Sequence, residues 1–128
     1  MANTLVEFKN LKTYFYTEAG TVKAVNDVSF SIREGQTVCV VGDSGCGKSI
    51  TALSMMRLIA SPPGKIEGGE IIFDGKDLLK LREEEMRLMR SKELAMIFQE
   101  PMSSLNPVLT IGIQIMEPLI EHLYMSKR

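Results

Sequence analysis

The chain has 128 residues, of which 45% are hydrophobic and 24% charged, and its formal net charge is -1. This balance is typical of one soluble globular unit and includes no basic excess that would suit nucleic acid. No apolar stretch approaches the ~18 to 20 residues that a membrane span needs, and the N-terminus does not begin a secretory signal. We therefore expect a cytosolic protein, in which Cys39 and Cys46 form no disulfide framework.

Three strands are predicted before the middle of the chain. Residues 5–9 alternate between apolar and polar side chains like an edge strand, and residues 22–32 alternate again before a Glu-Gly turn. Residues 37–41 form a short apolar run that is typical of a buried strand, so Cys39 is expected to be buried there.

The most informative segment is residues 42–49, which read GDSGCGKS and match the motif G-x-x-x-x-G-K-[ST]. Its three glycines allow positive φ, so the backbone can curl and direct successive N–H groups into one anion-sized hollow. Lys48 would bring its charge to the β and γ phosphates, and the Ser49 hydroxyl suits Mg²⁺. A helix predicted from Ser49 to Leu58 would point the positive end of its dipole at the same anions. The segment therefore predicts a nucleoside triphosphate site rather than a chance glycine-rich turn.

A hairpin is predicted after this helix. Residues 61–64, Ser-Pro-Pro-Gly, break the chain, and residues 70–73 form an apolar strand that ends at Asp74 and Gly75. An apolar strand that ends in Asp imitates the carboxylate that holds Mg²⁺ in such sites. The Asp-Gly pair favours a hairpin turn instead.

Two helices and one further strand are predicted in the last third. Residues 81–89 form a charged amphipathic helix, and its apolar face of Leu81, Met86 and Met89 is expected to pack inward. Residues 94–98 are apolar and predict a strand. A last helix from about residue 110 is expected to be bent or broken by Pro118.

Three segments together resemble the ATP-binding cassette (ABC) transporter ATPases: the loop at residues 42–49, residues 23–30, and residues 97–107. The last of these, with Gln-Glu-Pro and then Leu-Asn-Pro, is similar to the oligopeptide, dipeptide and nickel importer branch. The resemblance runs over essentially the whole chain. It implies an α/β P-loop NTPase fold of the ABC type, with residues 1–128 as the N-terminal part of one domain. That part would hold an antiparallel β subdomain, the first part of the RecA-like core and the start of the helical subdomain.

The resemblance also implies roles for particular residues. Lys48 and Gln99 would act in catalysis, and Ser49 and Gln99 would ligate Mg²⁺. Either Phe15 or Tyr16 would stack on adenine, for which a flat ring at the edge of the pocket suffices. An ordinary polar strand end at Gln99 and a half-buried strand aromatic remain alternatives. The residues expected to bind ATP are Phe15, Tyr16, Gly42, Asp43, Ser44, Gly45, Cys46, Gly47, Lys48, Ser49 and Ile50.

The function implied is that of an ATP-binding subunit that powers import of peptides or related solutes, with ATP and Mg²⁺ as cofactors. Its partners would be a second ATP-binding subunit, transmembrane permease subunits and, indirectly, an extracytoplasmic solute-binding protein, at the cytoplasmic face of the membrane. No nucleic acid is expected to bind.

Three motifs of the family are not found in this sequence: the signature motif, the strand that ends in Asp-Glu, and the switch histidine. We interpret the chain as an N-terminal portion, which is expected not to hydrolyse ATP alone and to be poorly soluble or to associate through uncovered apolar strands. A nucleotide-holding chain without turnover is one alternative, and another P-loop kinase or GTPase is a remote one.

Overall fold

The computed structural model describes residues 3–125. The chain divides into two compact units, with the boundary between Leu81 and Arg82. Within residues 3–81 the first unit contains a β-sheet and one helix, and within residues 82–125 the second contains three helices. Among the described residues, no helix has both the length and the apolar character that crossing a membrane requires.

The first unit is built on a four-stranded sheet with the order β2-β1-β3-β4, in which all neighbouring strands are antiparallel. Its strands are β1 (Thr4–Thr17), β2 (Gly20–Arg33), β3 (Gly64–Phe73) and β4 (Lys76–Asp77). The prediction that residues 5–9 form an edge strand is wrong, because β1 is longer and pairs on both sides. Alternation indicates which face of a strand is buried and not how many strands pair with it, so it could not distinguish a central strand from an edge strand.

Both hairpin connections follow from local turn chemistry. Between β1 and β2, Thr17 pairs with Gly20, and the Thr17 hydroxyl donates to the Gly20 carbonyl at 2.8 Å. Between β3 and β4, Asp74 and Gly75 have φ of 45° and 75°, which is the left-handed pair that a two-residue hairpin turn requires. The hairpin prediction for Asp74 is confirmed.

The core of the first unit lies on one face of the sheet. The helix α1 (Lys48–Met55) packs on this face, and its Ser54 side chain is fully buried. Phe8 and Phe30 stack with ring centroids 4.4 Å apart across β1 and β2. The buried apolar side chains of this unit are Val6, Phe8, Leu11, Val25, Met56, Ile71, Phe73 and Leu78.

The two apolar runs that predicted strands at residues 37–41 and 94–98 do not form strands. Cys39 is exposed rather than buried, and Val41 is 86% exposed. Leu94 makes an isolated β-bridge to Arg90, and the pairing does not extend into a strand. A strand needs a partner whose N–H and C=O groups complete the ladder, and among residues 3–125 neither run has one. Both runs have the apolar pattern of a buried strand, but the prediction that they form strands is wrong for the described residues.

The second unit contains α2 (Glu83–Met89), α3 (Pro101–Ser104) and α4 (Ile111–Leu123). Met86 of α2 is fully buried, as its predicted inward face requires. The Arg87 guanidinium of α2 donates to the Glu121 carboxylate of α4. The helix α4 continues through Pro118 to its end, so it is not broken there, and a bend at Pro118 stays a prediction.

Candidate functional site

The predicted phosphate loop leads directly into a helix. Gly47 is the N-cap of α1, with φ 96° and ψ 3°, and Gly45 has φ 79°. Both glycines adopt the left-handed backbone conformation, with positive φ, that glycine allows. Gly42 does not, so the expectation of positive φ there is wrong. A Cβ at this position would lie 2.6 Å from the Cys46 Sγ, which is the end of a side chain that can rotate away.

The backbone N–H groups of this loop are largely unused. From Ser44 to Ser49, within the described chain, the N–H of Cys46 is the one that donates, to the Asp43 carbonyl at 3.3 Å. The first turn of any helix leaves N–H groups without helical partners. The loop and the start of α1 therefore present several donors to an anion, in the field of the helix N-terminus.

The Lys48 side chain folds over its own loop. Its Nζ donates to the carbonyl oxygens of Gly42 at 2.7 Å and of Asp43 at 2.6 Å, and it lies 3.5 Å from the Cys46 Sγ. An ammonium has three donors and no acceptor, so these carbonyls hold the charge at the loop. A phosphate oxygen at the same place would be a stronger acceptor, because both groups would then be charged.

The Ser49 hydroxyl suits a hard cation. Ser49 is exposed in the first turn of α1, and within the described residues its hydroxyl makes no hydrogen bond. Thr51 differs, because its Oγ1 donates to the Gly47 carbonyl at 2.9 Å. Oxygen ligands such as a serine hydroxyl are those that Mg²⁺ prefers. The donor chemistry at Ser49 therefore fits Mg²⁺ together with the phosphates.

The loop and α1 are attached to the sheet at two points that sequence reasoning missed. Gly47 is buried against β2: a Cβ there would lie 2.3 Å from the Ala24 carbonyl oxygen. Seven residues later, the Ser54 Oγ lies 2.8 Å from the Thr13 Oγ1 of β1, and both side chains are fully buried. Thr and Ser are mostly exposed in proteins, and no sequence pattern distinguished these two.

The two candidate aromatic rings lie in different surroundings. The Phe15 ring packs on Gly64, where its Cε1 would be 2.9 Å from a Cβ. The Tyr16 hydroxyl donates to Glu67 Oε1 at 2.6 Å. This hydrogen bond raises the pKa of Tyr16 and lowers the pKa of Glu67. Adenine stacking by either ring stays a prediction.

Gln99 lies in the second unit. It is exposed in the segment between α2 and α3, and Glu100 beside it accepts a hydrogen bond at its carbonyl from Ser103 Oγ at 2.9 Å. The structure brings together residues 42–50 as one continuous loop and helix start. The role of Gln99 as a catalytic residue and Mg²⁺ ligand stays a prediction.

A G-x-x-x-x-G-K-[ST] loop that leads directly into the N-terminus of a helix is the feature that defines the P-loop class. The family model described as "ABC transporter" matches residues 25–125. The chain belongs to this family.

Curated relatives and solved structures agree with the family assignment. The chain is 52% identical over 126 residues to the oligopeptide transport ATP-binding protein AppD of Bacillus subtilis, covering 98% of this chain and 38% of the relative. It is 49% identical over 123 residues to the oligopeptide transport ATP-binding protein OppD of the same organism, covering 96% of this chain and 34% of that protein. The chain thus spans about a third of the length of these relatives.

The fold is shared with solved cassettes. A dimeric ATP-binding cassette in a post-hydrolysis state, bound to ADP and Pi, superimposes with a TM-score of 0.75 at 24% identity, over 96% of this chain and 50% of that one. A bacterial Atm1-family ABC exporter with ATP bound superimposes with a TM-score of 0.54 at 26% identity, over 70% and 15% of the two chains. The described residues therefore contain part of the ABC ATPase fold, including its antiparallel β subdomain.

Proposed function

We propose that this chain is the ATP-binding portion of a subunit that powers import of peptides or related solutes. One observation carries the proposal: the loop that ends at Gly47 presents unused N–H donors and the Lys48 ammonium at the start of α1. Such a site suits the phosphates of a nucleotide. The names of the relatives, oligopeptide transport ATP-binding proteins, supply the solute class.

Each residue of the site has a proposed task. Lys48 leaves the carbonyls that it now contacts and binds the β and γ phosphates, while the loop N–H groups hold the remaining oxygens. Ser49 would hold Mg²⁺, with Gln99 as a second oxygen ligand; a bound Mg²⁺ neutralises charge on the phosphates. Phe15 or Tyr16 would orient the base. Hydrolysis is proposed for the whole subunit, since this chain spans about a third of its relatives.

The proposed partners follow from the family. A second ATP-binding subunit and transmembrane permease subunits would assemble with this one at the cytoplasmic face of the membrane. An extracytoplasmic solute-binding protein would act through the permease. The relatives named for peptide transport support this arrangement.

The test is a titration of the chain with a fluorescent ATP analogue and Mg²⁺, together with a phosphate-release assay. Lys48→Ala is expected to weaken nucleotide binding at least tenfold, because it removes a charged contact to phosphate that is worth more than about 1.4 kcal/mol. Lys76→Ala is the matched control, since Lys76 is an exposed lysine on β4 and lies outside the proposed site. It should bind like the unaltered chain.

The outcomes separate the candidate functions. Binding that is lost in Lys48→Ala, without phosphate release, supports a competent phosphate site that holds nucleotide without turnover in this chain. Competition by GTP as strong as by ATP would favour another P-loop NTPase. Equal binding by Lys48→Ala and Lys76→Ala would contradict the proposed site.

A further inference from the structure

A buried pair of hydroxyl groups joins the last turn of α1 to strand β1. Thr13 Oγ1 and Ser54 Oγ lie 2.8 Å apart, and both side chains are fully buried. The Ser54 hydroxyl also donates to the Ile50 carbonyl at 2.7 Å. A hydroxyl has one proton to donate. Thr13 must therefore be the donor to Ser54. The two hydrogen bonds run in one direction, from Thr13 to Ser54 and from Ser54 to the Ile50 carbonyl.

This chain of hydrogen bonds ends beside the nucleotide site. Ile50 directly follows Ser49 and lies in the first turn of α1. Thr13 lies two residues before Phe15 and three before Tyr16 on β1, the two rings predicted to meet the base. Residues two apart on a strand share a face and are separated by about 6.6 Å. The pair therefore connects the part of the helix that would hold the phosphates to the strand that would hold the base.

We propose that Thr13 and Ser54 are positioning residues that fix the spacing between the phosphate loop and the base-stacking strand. This inference rests on the proposed nucleotide binding. A ligand that spans both elements gains affinity only when they are held at the correct separation. Nucleotide affinity should then depend on the pair although neither residue contacts the ligand, whereas affinity for a phosphate chain that touches only the loop should not.

The experiment compares ATP with inorganic tripolyphosphate as competitors of the fluorescent analogue. Thr13→Val and Ser54→Ala each remove the hydrogen bond between the two hydroxyl groups with little change in side-chain volume. Each is expected to weaken ATP binding about fivefold, which is the equivalent of one net hydrogen bond. Tripolyphosphate affinity should stay within about twofold by the same scale. The double variant should lose no more ATP affinity than either single variant, because the two residues act as a pair. Thr13→Ser retains the hydroxyl and should restore most of the ATP affinity.

Two controls separate positioning from stability. Ile71→Val removes one methyl group from a fully buried position on β3 and should change neither competitor's affinity. Urea unfolding of every variant gives its folded fraction. An equal loss of ATP and tripolyphosphate affinity in Thr13→Val would overturn the proposal and assign the pair a purely structural role, as would unchanged ATP affinity. Failure of the proposed nucleotide site is a separate result, in which Lys48→Ala binds the fluorescent analogue as well as the unaltered chain does.

Discussion

Gly47 is the position where a small substitution has the largest expected effect on the site. Alanine at Gly47 would hold a Cβ at φ 96°, which costs about 1–2 kcal/mol for a residue other than glycine. The same Cβ would lie 2.3 Å from the Ala24 carbonyl oxygen. Overlap with a backbone atom in a packed site costs a further 1–3 kcal/mol, approximately. Gly47→Ala should therefore lower the free energy of unfolding by about 2–5 kcal/mol.

The matched control is Gly75→Ala. Gly75 has φ 75°, but no atom lies within 4 Å of the added Cβ, so the backbone term alone applies and the loss should be about 1–2 kcal/mol. Urea unfolding, followed by circular dichroism and analysed by linear extrapolation, gives both values. An insoluble Gly47→Ala chain beside a folded Gly75→Ala chain would also support the reasoning.

Equal losses in the two variants would refute the reasoning, because they would mean that Gly47 does not pack against Ala24. In Gly47→Ala the helix start must shift to relieve the overlap, so nucleotide binding should weaken as well. Binding measured at a urea concentration where both chains remain folded separates the two effects. Retained affinity in a folded Gly47→Ala chain would show that the loop tolerates the shift.

Three further predictions concern pH, helix packing and association. Hydrogen bonds from Tyr16 and Lys65 lower the pKa of Glu67 below its usual 4.5; the stability that they supply is present above that pH and is lost as the pH falls through the folded pKa. Glu67→Gln should therefore flatten the fall of the unfolding free energy as the pH drops below 4.5, and a profile as steep as that of the unaltered chain would contradict it. Met86 is fully buried and Leu88 is 47% exposed on the same helix, so Met86→Ala should cost about 2–5 kcal/mol and Leu88→Ala well under half of that. Similar losses in the two variants, measured by urea unfolding, would mean that α2 is not packed by its Met86 face. Val41 is 86% exposed and lines an apolar cavity of about 410 Å³ next to the loop. Val41→Ser should therefore reduce self-association, measured by light scattering, without changing the free energy of unfolding. Scattering as strong as that of the unaltered chain would exclude the surface around Val41 as the contact.

Much of the local structure followed from residues close together in the sequence. The Asp74 and Gly75 turn, the helix that starts at Lys48 and the inward face at Met86 each depend on a local pattern, and the structure has all three. Turn chemistry, a loop-to-helix motif and helical periodicity all act within a few residues.

The failures share a physical cause. The apolar run at residues 37–41 and Cys39 within it predicted a buried strand, but a strand exists only where a second segment completes its hydrogen bonds. Alternation over residues 5–9 predicted an edge strand, but alternation indicates which face is buried and says nothing about how many neighbours a strand has.

The sequence by itself determined the family, the phosphate loop and the residue types that can bind phosphate and Mg²⁺, because those properties depend on the order and chemistry of neighbouring residues. The tertiary structure alone decided how the loop is held: Gly47 against Ala24, and Ser54 against Thr13. Thr13 and Ser54 are 41 residues apart. Contacts at that distance depend on how the sheet and helix pack, and packing joins residues that no local pattern connects.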